Sequence, residues 1–353
     1  MKADNSVPTV FDVAREAGVS RGTVDRVIHN RGRVSEDAVS RVKDAIARLG
    51  YTVNPNAMLL ASRKAYTIAC LIPQFRPGEY WSLISKGLQE GAKSLQGYNV
   101  SVQLYLYNST DIDSFRVQSA RVLEDRPSGV ILNAVFREAV TAFSEVLDGA
   151  GIPYAFIDNK VDGLGNVLYY GIDPYRSGYL GAYLLTLKGD VRDVALIRIT
   201  RDKGSHADPN GPRREGFMDF IGEHFPDCTI HTVFIRPDSP ADILSTLEHF
   251  FGTHPEVRHL AMTNSRVHLL SEYLRLHPSE DRITIGFDDL EKNMEALRAG
   301  YIDFLVTHHI EQQARLAITS FSEVLVWKRK PVRRNCYVHL DILNRYNLDD
   351  YND

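Results

Sequence analysis

The spacing of apolar positions changes at about residue 65. Before it, apolar residues recur every three or four positions in three stretches: Val10, Val13 and Ala14; then Val24, Val27 and Ile28; then Val39, Val42, Ala45, Ile46 and Leu49. This spacing predicts three amphipathic helices. Beyond residue 65, β-branched and aliphatic runs alternate with helical patterns, which predicts an α/β remainder.

Turn and capping residues separate the first two predicted helices. Thr9 or Asp12 can begin the first helix, Gly18 can end it, and Ser20 can cap the second. Glycine accepts the positive φ of a helix end, and a serine hydroxyl accepts a hydrogen bond from a first-turn amide. A tight turn between two helices is therefore predicted, as in a helix-turn-helix.

The outward face of the second predicted helix is polar. With its apolar residues packed inward, the residues left outside are Arg21, Gly22, Asp25, Arg26 and His29. The N-terminal residues of such a helix reach base edges in a major groove, where arginine pairs bidentately with guanine. The alternative is a small helical subdomain with a solvated charged face.

The segment from Pro8 to Tyr51 resembles, without a gap, the N-terminal domain of the lactose-repressor/galactose-repressor family of bacterial transcription regulators. DVAREAGVS, TVDRVI, RVSEDAVSRV and ARLGY carry the resemblance. It implies that residues 1–51 bind DNA through Thr9, Ser20, Arg21, Gly22, Thr23, Arg26 and His29. Asp25 stands where the family has a serine, and His29 where asparagine is common. A carboxylate facing phosphates weakens binding unless an arginine pairs with it.

Residues 52–65 are predicted to form a short hinge helix and linker. Asn54 is a good N-cap, and the apolar run MLL ends at Leu60. So short a helix is marginal alone in water. In the resembled family the hinge folds on DNA and a leucine from each subunit enters the minor groove, where an apolar wedge kinks the duplex. The resemblance gives that role to Leu60 and implies DNA contacts from Asn54 and Ala57, whereas the alternative is a plain linker.

From Tyr66, strand and helix patterns repeat as βαβ units to about residue 341. Such units imply parallel sheets covered by helices, and roughly 270 residues exceed one such layer. Two doubly wound halves facing a cleft are therefore predicted, with ligands bound beyond the carboxyl ends of the strands. The stretch resembles the periplasmic sugar-binding-protein fold (type I) that the same family uses as its effector domain. The predicted fold is thus an all-α head, an α/β effector domain over 66–341 and a polar C-terminal tail over 342–353.

Candidate effector ligands follow the predicted strands. The resemblance implies that the effector contacts Tyr80, Trp81, Asp158, Asn159, Arg213, Asn264, Asp288 and His308. Aromatic faces stack on sugars, and carboxylates accept hydrogen bonds from hydroxyl groups. Taken singly, each residue is as readily a core residue, a helix cap or a surface charge, but together they follow five strands in the family's order. His308 replaces a glutamine common in the family, which can make the site pH-sensitive.

Charge and cysteine content narrow the function. Residues 1–64 hold 11 Lys or Arg and 7 Asp or Glu, although the whole chain has a net charge of −4. A basic head on an acidic body suits DNA binding. Three widely spaced cysteines favour free thiols in a reducing compartment. No apolar run reaches the roughly 18 residues of a membrane span, and no signal peptide is recognisable, so a cytoplasmic location without membrane attachment is predicted.

These observations predict a ligand-responsive transcription regulator, not an enzyme, without cofactor or metal. The resemblance implies that it binds a pseudo-palindromic operator as a homodimer. A tetramer is left open, but the polar tail lacks the apolar heptads of a tetramerisation helix, which favours the dimer. Two alternatives are a glycosidase using Asp158 and Asp288 and a sugar receptor of the cell envelope. Hydrolase, phosphate-loop, zinc and dinucleotide motifs are absent from the sequence. The effector, the operator and the sign of the response are left open.

Overall fold

A computed structural model of the chain describes residues 8–28, 32, 34–51, 64–199 and 210–352. It divides into two compact units, one ending at Arg63 and the other beginning at Lys64. The predictions for His29, Asn54, Ala57 and Leu60, and for the hinge helix, lie outside the described residues.

Three helices form the first unit: α1 (Val10–Ala17), α2 (Arg21–Ile28) and α3 (Glu36–Leu49). Val13, Val24 and Val42 are fully buried where the three helices meet. Gly18 ends α1 with φ of 62°, and the Ser20 hydroxyl accepts a hydrogen bond from the Thr23 amide at 3.2 Å. The predicted helix-turn-helix is confirmed.

Two lobes, each built on a six-stranded sheet, form the second unit. The lobe 1 strands are β1 (Tyr66–Pro73), β2 (Val100–Tyr107), β3 (Gly129–Leu132), β4 (Tyr154–Ile157), β5 (Leu168–Gly171) and β11 (Asn335–Tyr337), in the order β11-β5-β4-β3-β1-β2. The lobe 2 strands are β6 (Asp193–Ile199), β7 (Thr229–Ile235), β8 (His259–Met262), β9 (Ile283–Phe287), β10 (Phe304–Thr307) and β12 (Asp341–Leu343), in the order β12-β10-β9-β8-β6-β7. Only the β10–β12 pair is antiparallel among the described strands.

Helices cover both sheets. They are α4 (Tyr80–Ser94), α5 (Ile112–Glu124), α6 (Arg137–Gly149), α7 (Pro174–Leu185), α8 (Gly211–His224), α9 (Pro240–Thr253), α10 (Ser271–Leu276), α11 (Glu291–Arg298) and α12 (Ile310–Trp327). The chain passes between the lobes after β5, after β10 and after β11, and α12 packs on α4 in lobe 1. This arrangement confirms the two doubly wound halves. None of the helices described here is long and apolar enough to span a bilayer.

The C-terminal segment differs from its prediction as a polar tail. The boundary between residues 341 and 342 falls inside β12, and Leu343 and Leu348 are buried in lobe 2. The Tyr351 hydroxyl accepts a hydrogen bond from the His309 amide at 3.0 Å. The sequence of this segment looks polar for two reasons. Strand β12 has only three residues, too few to show a period, and the two buried leucines of the segment are isolated among polar residues. Three-residue β11 escaped prediction for the same reason of length, and β5 (LYYG) was not predicted either.

Candidate effector-binding cleft and DNA-facing helix

In the first unit, α2 presents a polar, solvent-exposed face. Arg21, Gly22 and Arg26 are exposed, and Thr23 is half-buried. The Arg21 guanidinium lies 4.9 Å from the centre of the Phe11 ring, and Arg26 Nε donates to the Gly22 carbonyl at 3.1 Å. Both arginines are therefore held close to the helix surface. Ser20 and Thr9 are exposed at the starts of α2 and α1, where they act as caps.

In the second unit, two aspartates follow central strands of opposite lobes. Asp158 follows β4 and is half-buried, whereas Asp288 follows β9 and is buried. Both have positive φ, 67° and 71°. Such a conformation is uncommon for a non-glycine residue, and strain of this kind concentrates at functional sites.

Hydrogen bonds, rather than a cation, surround the Asp158 carboxylate. It accepts one from the Tyr80 hydroxyl at 2.7 Å, and one each from the amides of Asn133 and Asn159 at 3.0 Å. Burial raises the pKa of Asp158 to about 6, and the nearby Asp288 charge adds to the rise, while the Tyr80 hydrogen bond opposes it. The Asp158 carboxylate therefore accepts three hydrogen bonds and takes up a proton near pH 6.

Arg213 partners the second aspartate. Its two terminal nitrogens lie 3.4 Å from the two carboxylate oxygens of Asp288. Arg213 Nε donates to the Ser177 hydroxyl at 3.1 Å, and the guanidinium lies 4.5 Å from the centre of the Phe287 ring. Because Arg213 and Asp288 are buried, this pairing offsets much of the cost of desolvating both charges.

Two glycines set the position of Arg213. A Cβ on Gly178 of α7 would lie 1.7 Å from the Arg213 carbonyl oxygen, and one on Gly216 of α8 would lie 2.0 Å from the Tyr175 carbonyl oxygen. The two helices are therefore in backbone contact. That contact brings the start of α8, and Arg213 with it, against Ser177.

His308 lies in the crossover between β10 and α12. Its Nε2 is 3.5 Å from the Tyr80 hydroxyl, and its Nδ1 is 3.7 Å from Asp288 Oδ1. Burial lowers the pKa of His308 to about 4; the Asp288 charge opposes this and the Arg213 charge adds to it. His308 is therefore neutral near pH 7, and the pH sensitivity expected of this residue lies near pH 4 instead.

The other predicted ligands lie at the rim. Trp81 is half-buried, with its ring edge-on to Tyr80 at 5.4 Å between centroids. Asn264 Oδ1 accepts a hydrogen bond from the Arg266 amide, and the Arg266 side chain pairs with Glu79 of lobe 1 at 3.2 Å. In this structure Asn264 stabilises a turn, and the ion pair beside it links the lobes.

Sequence reasoning missed two residues at the cleft edge of the lobe 1 sheet. Asn133 follows β3 and Tyr107 ends β2; burial raises the pKa of Tyr107 well above its usual value, and the Asp158 charge adds to this. Asn133 Oδ1, Tyr107 Oη and His308 Nδ1 are buried and lack a hydrogen-bond partner among the described residues. Buried polar atoms are nearly always bonded, so these three suit the hydroxyl groups of a ligand. The sequence signal for Asn133 was its position as a polar residue directly after the apolar run GVIL. No group of three or more metal-ligating side chains converges within the described ranges.

A two-lobed domain with a polar cleft at the strand ends defines a ligand-binding protein of the periplasmic-binding type. Residues 68–329 match the periplasmic binding protein domain, and residues 9–54 match the bacterial regulatory proteins of the lacI family. The crystal structure of a Bacteroides fragilis protein described as a LacI transcriptional regulator superposes with a TM-score of 0.76 at 30% identity, over 82% of this chain and 100% of that one. The chain belongs to the lacI family of bacterial regulatory proteins, which confirms the predicted resemblance.

Curated relatives are regulators as well. The regulator GntR of Pseudomonas aeruginosa is 27% identical over 290 residues, 80% of each chain. Catabolite control protein A of Streptococcus mutans is 39% identical over 100 residues, and the match spans 28% of this chain and 29% of that protein. The glucose-galactose binding protein GanP of Geobacillus stearothermophilus shares the fold, with a TM-score of 0.67 at 20% identity over 81% of this chain and 99% of that one. GntR and catabolite control protein A support a regulatory rather than an enzymatic class for this chain.

Gly178→Ala is expected to displace α8 and Arg213, because the new methyl group would meet backbone that cannot rotate away. We expect destabilisation of about 1–3 kcal/mol in urea denaturation, as for other overpacked contacts. Gly222→Ala, at an open position of the facing helix α8, is the control, since nothing lies within 4 Å of its Cβ. Equal stability of the two variants would contradict the backbone-contact explanation.

Acid is expected to act on His308 and Asp158 in opposite directions. As the pH falls from about 6.5 to about 4.5, the unfolded chain protonates His308 while the folded protein keeps it neutral, so this group lowers the free energy of unfolding. Asp158 is protonated in the folded protein before it is protonated in the unfolded chain, so this group raises the free energy of unfolding over the same range. His308→Gln should therefore lose less stability than wild type over this range, by about 2 kcal/mol. Parallel pH profiles from urea denaturation would refute this assignment.

Proposed function

We propose that the protein is a transcription regulator whose affinity for operator DNA is switched by a sugar or sugar derivative bound between the lobes. The observation that carries this proposal is the cleft itself, in a chain that also contains a helix-turn-helix. Its polar groups come from both lobes and meet at the strand ends, where ligands of such sheets bind. Genes of carbohydrate utilisation are the expected targets.

The composition of the cleft favours a polyhydroxylated ligand. Asp158, Asp288 and the unpartnered Asn133 Oδ1 supply acceptor oxygens, while Arg213 and Asn159 supply donors. Tyr80 and Trp81 offer aromatic faces beside them. Asn264 and His308 complete the proposed ligand set, the former after release of its turn and the latter through its unpaired Nδ1.

DNA binding is assigned to the first unit, acting as a homodimer in the cytoplasm. Two copies of α2 would enter successive major grooves of a pseudo-palindromic operator, with Arg21 and Arg26 directed at bases and phosphates. Two-fold operators are read most simply by two-fold dimers. The roles of His29, Asn54, Ala57 and Leu60 follow from the family resemblance alone, with Leu60 as the minor-groove wedge.

The switch is proposed to run through the crossovers between the lobes. A ligand that binds the closed cleft more tightly than the open one shifts the population toward closure. His308 touches the cleft groups and lies within a crossover, so closure and crossover geometry are linked. By thermodynamic reciprocity, DNA must then change effector affinity by the same factor that effector changes DNA affinity.

Trp81 can report on the cleft once Trp327, the other tryptophan of the chain, is replaced by Phe. We expect a saturable fluorescence change on titration with one class among neutral, acidic and phosphorylated sugars. Asp158→Asn should abolish it by changing a hydroxyl acceptor, whereas Asp113→Asn on the exposed surface of α5 should not. A response that survives Asp158→Asn would remove this cleft from effector binding.

Arg21→Ala tests base reading. A bidentate arginine–guanine pair discriminates by about 1–3 kcal/mol, so the variant should prefer its operator over random duplex by roughly 5- to 150-fold less, with the salt slope largely retained. Arg15→Ala, on the exposed surface of α1, is the control. Unchanged specificity in competition binding would exclude Arg21 from base reading.

A further inference from the structure

Lobe 1 carries a concentrated positive segment that no part of the proposed switch uses. This basic turn, residues 328–334, has the sequence KRKPVRR, with five Lys or Arg in seven positions. All five are exposed. Lys328, Arg329, Lys330 and Arg333 form no ion pair with any residue that the structure describes.

The backbone of the basic turn is fixed at both ends. Lys328 ends α12 with φ of 55°, and the Arg329 amide donates to the Glu323 carbonyl at 3.3 Å. At the other end the Arg334 carbonyl accepts from the Tyr169 amide at 2.7 Å, and Arg334 Nε donates to the Asn166 carbonyl at 2.8 Å. The other four cationic side chains therefore project from a backbone that is already ordered, which lowers the entropy cost when a ligand binds to the turn.

The basic turn lies at the amino edge of the lobe 1 sheet, opposite the cleft. Arg334 precedes β11 and is bonded at the start of β5, and β5 runs parallel to β1. Lys64, where this unit joins the helix-turn-helix unit, precedes β1 at the same edge. Strands β5, β4 and β3 lie between β11 and β1, so Arg334 and Lys64 are about 19 Å apart at about 4.8 Å per strand.

We propose that the basic turn binds phosphates of the operator backbone, as a second DNA contact made by the effector domain. The chain enters this edge at Lys64 from the helix-turn-helix unit, and about 19 Å is less than one helical turn of duplex, about 34 Å. Lysine and arginine on exposed turns bind phosphates without reading sequence. The proposal rests on the proposed DNA-binding function and assigns to lobe 1 a role beyond effector binding.

The ionic-strength dependence of binding tests this proposal. Each phosphate contact contributes about 0.9 to the slope of log affinity against log salt. Because each contact occurs twice in a homodimer, the variant Lys328→Gln/Arg329→Gln/Lys330→Gln/Arg333→Gln should reduce that slope by about 2–7. It should also weaken binding equally to operator and to mismatched duplex, and lose protected phosphates at the flanks in ethylation interference. The probe is a duplex selected from random sequence with the wild-type protein.

The control carries the same loss of charge in lobe 2: Arg236→Gln/Arg275→Gln/Lys292→Gln/Arg298→Gln, four exposed positions. An equal fall in slope for both variants would mean that net charge alone acts, and an unchanged slope would mean that the turn does not touch DNA; either overturns the proposal. Circular dichroism and the Trp81 response verify that both variants are folded. Failure of the wild type to select any duplex would instead refute the proposed function itself.

Discussion

Burial of charge between the lobes is the constraint on which the effector domain depends. Arg213 and Asp288 neutralise each other, but Asp158 is left with hydrogen bonds alone, and burial together with the nearby Asp288 charge raises its pKa to about 6. The cleft thus holds two carboxylates but one guanidinium, which pairs with Asp288 alone, and burying the second carboxylate carries an electrostatic cost. A ligand whose hydroxyl groups bond to these acceptors, and to the unpartnered atoms of Asn133 and Tyr107, offsets that cost. In the proposed switch, this offset would couple ligand binding to lobe closure.

The same constraint explains why the C-terminal segment belongs to lobe 2. The crossover after β10 must hold His308 against the cleft while its neighbour His309 has φ of 50°. Tyr351 stabilises this backbone: its ring stacks on His309 at 4.1 Å between centroids, and its hydroxyl donates to Asp289 Oδ2 at 3.0 Å. A strained crossover next to buried charge needs such support, because strain persists only where the surroundings fix it.

Sequence reasoning found what depends on local pattern and missed what depends on packing. The strand-end positions of Asp158 and Asp288 were predictable because a polar residue that ends a buried apolar run must lie at a sheet edge, whereas their role as ligands came from the family resemblance. Asn133 satisfies the same rule and was within reach. Gly178 and Gly216 were not, since a helical glycine gives no sign of the backbone it will touch. The pKa of His308 was also beyond the sequence, because burial and the competing charges of Asp288 and Arg213 set it. The DNA-binding and effector assignments themselves stay predictions.

Helix α12 connects the two edges of lobe 1. It begins beside His308 at the cleft and, with 18 residues, extends about 27 Å to Trp327 and the basic turn. Its contact with α4 is close enough that a Cβ on Gly87 would lie 2.2 Å from the Glu311 carbonyl oxygen, so the two helices are in backbone contact. α4 begins with Tyr80 and Trp81, which belong to the cleft. In the proposed switch, a displacement imposed by ligand on Tyr80 or His308 would be carried along these two helices toward the edge where Lys64 and the basic turn lie.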